Sequence, residues 1–219
     1  MKLSGIYGIV FAFVAIIEPG DGAYTKLTVF YEPNCQRCQD LLLNQVKPAL
    51  EALGGVYNSH LEIDLIPYGS ATTEWKEGER LKNVCIISKD CHATKGHACA
   101  KGNFPLKLTT EYRFCSLESL SLKKGSAGCE ACAKNIGMDF EIIRNCVLSW
   151  EGDVLMAANG IKKNGLSPKA TEHPWILVND EYKKDAADGL KANALATLCK
   201  IWKGEKHDHD LPKACDGKV

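Results

Sequence analysis

Two cysteines in the order Cys35-Gln-Arg-Cys38 follow a β-branched and aromatic run, Leu27-Thr-Val-Phe-Tyr, that breaks at Pro33-Asn34. Such a run reads as a buried strand. Beyond the pair, Leu41, Leu42, Gln45, Val46, Ala49, Leu50 and Leu53 recur at spacings of three and four, which predicts a helix starting near Cys35. A cysteine at a helix start faces unpaired backbone N–H groups and the positive end of the helix dipole, and both favour a thiolate over a thiol. Arg37 adds a positive charge nearby. The predicted chemistry is thiol–disulfide exchange, with Cys35 attacking a disulfide and Cys38, one turn inward, resolving the mixed disulfide. A structural disulfide or half of a zinc site is the bland alternative for the pair. Zinc is disfavoured because the second such pair, Cys129-Glu-Ala-Cys132, lies far beyond the roughly 15–20-residue spacer of tetrathiolate sites. No cofactor and no metal are expected.

The compartment follows from the start of the chain and from its cysteine count. Met1-Lys2 precedes an apolar stretch from Ile6 to Ile17, and small residues follow at Gly20, Gly22 and Ala23. This pattern predicts a signal peptide over residues 1–22 and a secreted or lysosomal mature chain starting near Ala23. The stretch is shorter than the ~20 apolar residues of a transmembrane helix, so no membrane span is expected. Eleven cysteines then imply a disulfide framework. The odd number leaves one thiol unpaired or available for an intermolecular disulfide. Lys and Arg number 27, as do Asp and Glu, so net charge supplies no reason for a nucleic-acid or anionic-membrane partner. No Asn-x-Ser/Thr sequon occurs.

Around the Cys35 helix the other elements fall into a strand, helix, strand order. Leu61 to Pro67 reads as a second strand, close enough in sequence to pair in parallel with the first. Pro48 is expected to kink the intervening helix. From Gly69 to about Pro105 the pattern predicts loop pinned by Cys85, Cys91 and Cys99. Helices are expected between Leu106 and Leu148, interrupted by Lys123-Lys-Gly-Ser-Ala-Gly128. Another helix should run from Trp150 to Ala158 and end at Asn159-Gly160. Pro174-Trp-Ile-Leu-Val178 reads as a short strand, with a turn at Asn179-Asp180 and one closing helix from Ala186 to Trp202. Cys129 and Cys132 lack a leading strand. They are expected to pair structurally with separate partners, for instance Cys115 with Cys129 and Cys132 with Cys146. His207-Asp-His-Asp210 reads as solvated tail.

This order resembles an α/β, thioredoxin-like fold carrying a helical, disulfide-rich insertion. The segments Val29-Phe-Tyr-Glu-Pro-Asn-Cys-Gln-Arg-Cys38, Ile66-Pro-Tyr-Gly-Ser-Ala71 and His173-Pro-Trp-Ile-Leu-Val-Asn179 are similar to those of the gamma-interferon-inducible lysosomal thiol reductase family. Pro48 has a counterpart there too. The resemblance divides the chain into a signal peptide (1–22), a first core part (23–82), the insertion (83–149), a second core part (150–203) and a polar tail (204–219). It implies a reductase of disulfide-containing protein substrates with Cys35 and Cys38 as the catalytic dithiol. It implies a cis-proline at Pro174 that positions substrate, and a closure of Cys199 onto Cys215. His173, beside that proline, is a further candidate, able as imidazolium to stabilise the thiolate. The family stretch C-Q-H-G-x2-E-C-x2-N-x4-C is kept here only in order of types, as Cys91-His92, Gly96, Cys99, Asn103 and Cys115, with longer spacing and without the Gln and Glu; Cys85 with Cys91 matches its first two cysteines equally well. The same fold also suits a disulfide oxidase or isomerase, or a secreted binding protein whose Cys-x-x-Cys is locked or inactive.

Overall fold

Residues 25–55, 61–75, 78, 81–87, 91–204 and 211–217 are described by a computed structural model. The expected signal peptide and the His207–Asp210 stretch lie outside the described residues. Strand β1 (Thr25–Tyr31) is the centre of a three-stranded sheet. It pairs in parallel with β2 (Leu61–Pro67), Thr25 opposite Leu61 through Tyr31 opposite Pro67. On its other side it pairs antiparallel with β5 (Trp175–Val178). Alternation along β1 sends Leu27, Val29 and Tyr31 to one face and Phe30 to the other. The first face joins a core with Leu41, Leu42, Leu65, Ile176, Leu190 and Trp202. The second packs Phe30 with Ile66, Trp175 and Leu177. Burying each such side chain contributes about 1.5–3 kcal/mol.

The helix after Cys35 runs as α1 (Gln36–Leu41), a π-helical turn (Leu42–Val46) and α2 (Lys47–Ala52). In the widened turn the Lys47 N–H donates to the Leu42 carbonyl, five residues back. Pro48, which has no N–H to give the preceding turn, follows directly. The irregularity expected from the proline is thus a π-turn just before it.

Residues 69 to 105 are more regular than their sequence suggests. They hold a small hairpin, β3 (Thr72–Glu74) with β4 (Lys82–Val84), and helix α3 (His92–Asn103). The periodicity escaped notice because α3 buries small side chains, among them Thr94, Gly96, Ala98, Cys99 and Ala100, where a helix ordinarily shows large apolar ones. Close approach explains them: a Cβ on Gly102 would stand 2.8 Å from Leu155 Cδ1. Helices α4 (Leu106–Ser121), α5 (Gly125–Ile136), α6 (Phe140–Leu148) and α7 (Trp150–Asn164) complete this part, around Tyr112, Ala133, Met138 and Ile143.

Helix α7 continues past Asn159-Gly160, against expectation. Gly160 serves packing here: a Cβ would lie 2.5 Å from Tyr68 Cζ, while the Asn159 side chain donates to the Pro67 carbonyl at 3.1 Å. Asn179 and Asp180 both take positive φ, 52° and 62°, in the turn after β5. The closing helix is in fact two, α8 (Lys184–Ala192) and α9 (Ala194–Gly204). Asn193 divides them, its side-chain oxygen accepting from the Ala196 N–H at 3.0 Å as a cap.

The disulfides correct the expected partners. Cys115 joins Cys132, Cys146 joins Cys99, and Cys85 joins Cys91, while Cys199 joins Cys215 as the resemblance implied. Cys129 is unbonded. It lies one turn before Cys132 on α5 and is outcompeted for Cys115, whose Cα stands 5.7 Å from that of Cys132, within normal bridging range. Helix α3, unseen in the sequence, supplies the partner of Cys146.

Candidate active site

The end of β1 and the start of α1 are joined by a turn in which the Cys35 N–H donates to the Glu32 carbonyl at 3.0 Å. Cys35 is the N-cap of α1 in extended conformation, φ −84° and ψ 116°, and its carbonyl accepts from the Cys38 and Gln39 N–H groups. Buried Gln39 fixes the turn by donating to the Pro33 carbonyl at 2.7 Å. Both thiols are unbonded; Cys35 is 5% exposed and Cys38 fully buried.

The two sulfurs titrate in opposite directions. The Cys38 thiol donates to Cys35, and with backbone N–H groups of Cys38 and Arg37 and the Arg37 charge it lowers Cys35 to about 6 against the opposing effect of burial. The same bond, together with burial, pushes Cys38 far above the ordinary thiol range. One cysteine is therefore made nucleophilic and the other is kept protonated as its donor.

The 172–174 segment stands across a cleft of about 410 Å³ from α1, with Arg37 and Asp40 on one side and Glu172, His173 and Pro174 on the other. Arg37 lies 3.9 Å from Glu172, which Lys191 also holds at 2.6 Å. The His173–Pro174 peptide is cis. Burial, Lys163 and Arg37 push His173 down to about 4. An imidazolium is therefore scarce even at pH 5, and the expectation that His173 stabilises the thiolate by its charge does not hold. The sequence pattern carried no sign of Lys163, which reaches the site from α7.

Several residues at this site went unread in the sequence. Glu32 is fully buried and accepts from the Ser70 hydroxyl at 2.7 Å. Its signals were a charged residue directly after a buried strand and a place in the family-like Val29–Cys38 segment. Behind it, the Tyr31 hydroxyl and His97 Nδ1 are 2.7 Å apart, and His97 Nε2 and the Ser116 hydroxyl 2.5 Å. Burial holds His97 well below its ordinary value, so it is neutral. Buried Arg113 donates to the Leu65 and His97 carbonyls at 2.7 Å each and ties α4 to β2 and α3.

Cys129 belongs to a separate cavity of about 470 Å³ with Tyr112, Phe140 and Ile143, and burial raises its thiol. Because Cys132 is already bonded, the second Cys-x-x-Cys is not a dithiol. Among the described residues no cluster of three or more metal-ligating side chains occurs, and no helix is long and apolar enough to cross a membrane.

Comparison with known proteins gives this geometry its context. Residues 26–136 match the family model described as gamma interferon inducible lysosomal thiol reductase (GILT). The chain is 27% identical over 195 residues to the gamma-interferon-inducible lysosomal thiol reductase of Carassius auratus, covering 86% of this chain and 71% of that protein. It is 24% identical over 215 residues to the gamma-interferon-responsive lysosomal thiol protein of Arabidopsis thaliana, covering 94% and 82%. In three dimensions it is similar to Chlamydia trachomatis DsbA, with a TM-score of 0.55 at 18% identity over 88% of this chain and 92% of that one, a likeness of fold. A family match over half of the chain, relatives along most of its length and a thioredoxin-like sheet lead to one conclusion: the chain belongs to the gamma interferon inducible lysosomal thiol reductase family and is a thiol–disulfide oxidoreductase.

Proposed function

We propose that the protein reduces disulfides in protein substrates through Cys35 and Cys38, in an acidic or extracellular compartment. The observation that carries this reading is the paired arrangement of the two thiols, Cys35 at the helix start accepting a hydrogen bond from buried Cys38. Cys35 attacks one substrate sulfur as thiolate, and the substrate leaves its other sulfur as a thiolate. Cys38 then attacks Cys35, which frees the second substrate thiol and leaves the Cys35–Cys38 disulfide. Pro174, across the cleft from α1, positions the substrate chain, as the family resemblance implies. His173 contributes to that position as a neutral side chain.

Magnitudes favour an acidic setting. A thiol titrating at about 6 is roughly one-tenth thiolate at pH 5, about 300 times the fraction of a free thiol near 8.5. Intrinsic nucleophilicity falls about tenfold over the same interval, which leaves a net gain of about 20–30-fold at pH 5 but only about twofold at pH 7. The leader expected over residues 1–22 and names of relatives that place them in lysosomes support secretion or lysosomal delivery. Insulin reduction at pH 4.5 and pH 7 tests the reading. Turnover at both pH values, abolished in Cys35→Ser, is expected; turnover that survives Cys35→Ser, or no turnover at either pH, overturns it.

A further inference from the structure

We infer that the cavity of about 470 Å³ lined by Asn34 and α6 is a substrate subsite, which takes an apolar side chain, aromatic above all, from the polypeptide whose disulfide is being reduced. The inference rests on the proposed role of Cys35 and names the substrate class that the site serves. Asn34, exposed and directly before the attacking cysteine, is part of the cavity wall. Neighbouring Cα atoms stand about 3.8 Å apart, so the hollow begins one residue from the reacting cysteine. The cleft toward Pro174 begins on the other side of Cys35 in the chain, at Arg37, and shares no lining residue with the cavity. A substrate chain held at Cys35 against Pro174 therefore has a second hollow within reach of the residues that flank its disulfide.

Helix α6 gives the cavity an apolar wall. Phe140, Ile143, Val147 and Leu148 line it, and Leu148 is 72% exposed, an apolar side chain left in water unless something covers it. The volume lies in the range of about 300–1,000 Å³ of small-ligand pockets, and an aromatic residue brings about 150–250 Å² of surface to bury there. The charges favour an apolar occupant as well. Arg144, the one Lys or Arg among the described lining residues, is already held by Glu141 at 2.8 Å and by Glu130 at 3.3 Å. Small disulfides such as cystine and glutathione disulfide carry ammonium and carboxylate groups, whose burial without partners is costly. An apolar side chain on a polypeptide incurs no such cost.

The test compares kcat/KM for two synthetic peptides, each closed by one disulfide and alike except for Phe or Ser flanking the cysteines, and for glutathione disulfide. The wild-type protein should favour the Phe peptide over the Ser peptide by about 10–100-fold, the factor that burying one aromatic side chain supplies, and mainly through KM. Glutathione disulfide should rank no higher than the Ser peptide. A Cβ on Gly96, which also lines the cavity, would meet Val147 and Ile143 at 3.9 and 4.0 Å, ordinary contact distances, so Gly96→Leu adds a side chain to the cavity and should bring the Phe-to-Ser ratio close to one. A wild-type ratio near one, glutathione disulfide reduced as fast as the Phe peptide, or an undiminished ratio in Gly96→Leu overturns the inference alone. No turnover of any of the three overturns the reductase reading beneath it. A second measurement needs neither turnover nor a variant, and decides the matter if Gly96→Leu does not fold. With Cys35 and Cys38 joined as a disulfide, Cys129 is the one remaining thiol among the described residues, and it lines the cavity. The Phe peptide with its cysteines replaced by serine should slow alkylation of Cys129 by iodoacetamide, and the corresponding Ser peptide should not; equal rates with the two peptides overturn the subsite.

Discussion

Replacing Cys38 with Ala removes the first and largest cause of the low Cys35 titration point, the hydrogen bond from the Cys38 thiol. What remains is the backbone N–H groups and the exposed Arg37 charge, the latter weakened by solvent. The dipole and backbone groups of a helix start are worth about one unit on their own, so the Cys35 midpoint should climb from about 6 to between about 7 and 8. At pH 5 that lowers the thiolate fraction by about 10–100-fold, while the more basic sulfur regains about 3–10-fold in nucleophilicity. Iodoacetamide alkylation of Cys35 at pH 5 should thus slow by about 3–10-fold in Cys38→Ala, and Arg37→Ala should move the midpoint by less. The assay is the rate of alkylation across pH 3 to 9, read site by site by mass spectrometry. A Cys38→Ala midpoint within about 0.3 of wild type would refute the reasoning, as would a wild-type midpoint above about 8.

Other expectations follow from individual contacts. His173→Ala should reduce turnover by the same factor at pH 5 and pH 7.5, because a side chain titrating at about 4 is neutral at both; a loss concentrated at pH 5 in steady-state assays would contradict this. Arg113→Met removes two charge-assisted hydrogen bonds to the buried Leu65 and His97 carbonyls, at about 1.5–3 kcal/mol each, so denaturant unfolding should show a loss of about 3–6 kcal/mol. Gly160→Ala forces a methyl into the Tyr68 ring and should destabilise by about 1–3 kcal/mol in the same measurement. Alkylation of the denatured, unreduced protein after mild reduction of the active-site pair should label Cys35, Cys38 and Cys129; labelling of Cys132 with Cys129 protected would overturn the pairing.

The central sheet and the Cys35 helix were legible because their signals are local. Alternating large apolar residues in β1 and a 3–4 spacing after Cys35 each report one buried face. Helix α3 was hidden because its buried face is built from Gly, Ala, Thr and Cys, chosen for close approach to Leu155 and Ile143 on other helices. Gly160 misled for a related reason: a glycine that ends a helix and one that lets a tyrosine ring approach look alike until Tyr68 is placed beside it. The disulfide partners depended on that missing helix. At the site, the dithiol and the proline were marked by spacing and family likeness. The groups that shape the His173 and Glu32 environments besides burial, Lys163 and Ser70, are distant from them in sequence; Ser70 lies in a family-like segment with nothing to show what it bonds, and Lys163 is unmarked by any motif.

Trapping of the reaction intermediate bears most directly on the unequal roles of the two cysteines. Each single variant, Cys35→Ser and Cys38→Ser, is incubated with oxidised insulin and resolved on non-reducing gels, with the joined cysteines mapped by mass spectrometry. Cys38→Ser should accumulate a dithiothreitol-sensitive adduct through Cys35, since the thiolate still attacks but nothing resolves the product, and Cys35→Ser should accumulate none. Equal adducts from both variants, or an adduct through Cys38 or Cys129, would contradict the assignment.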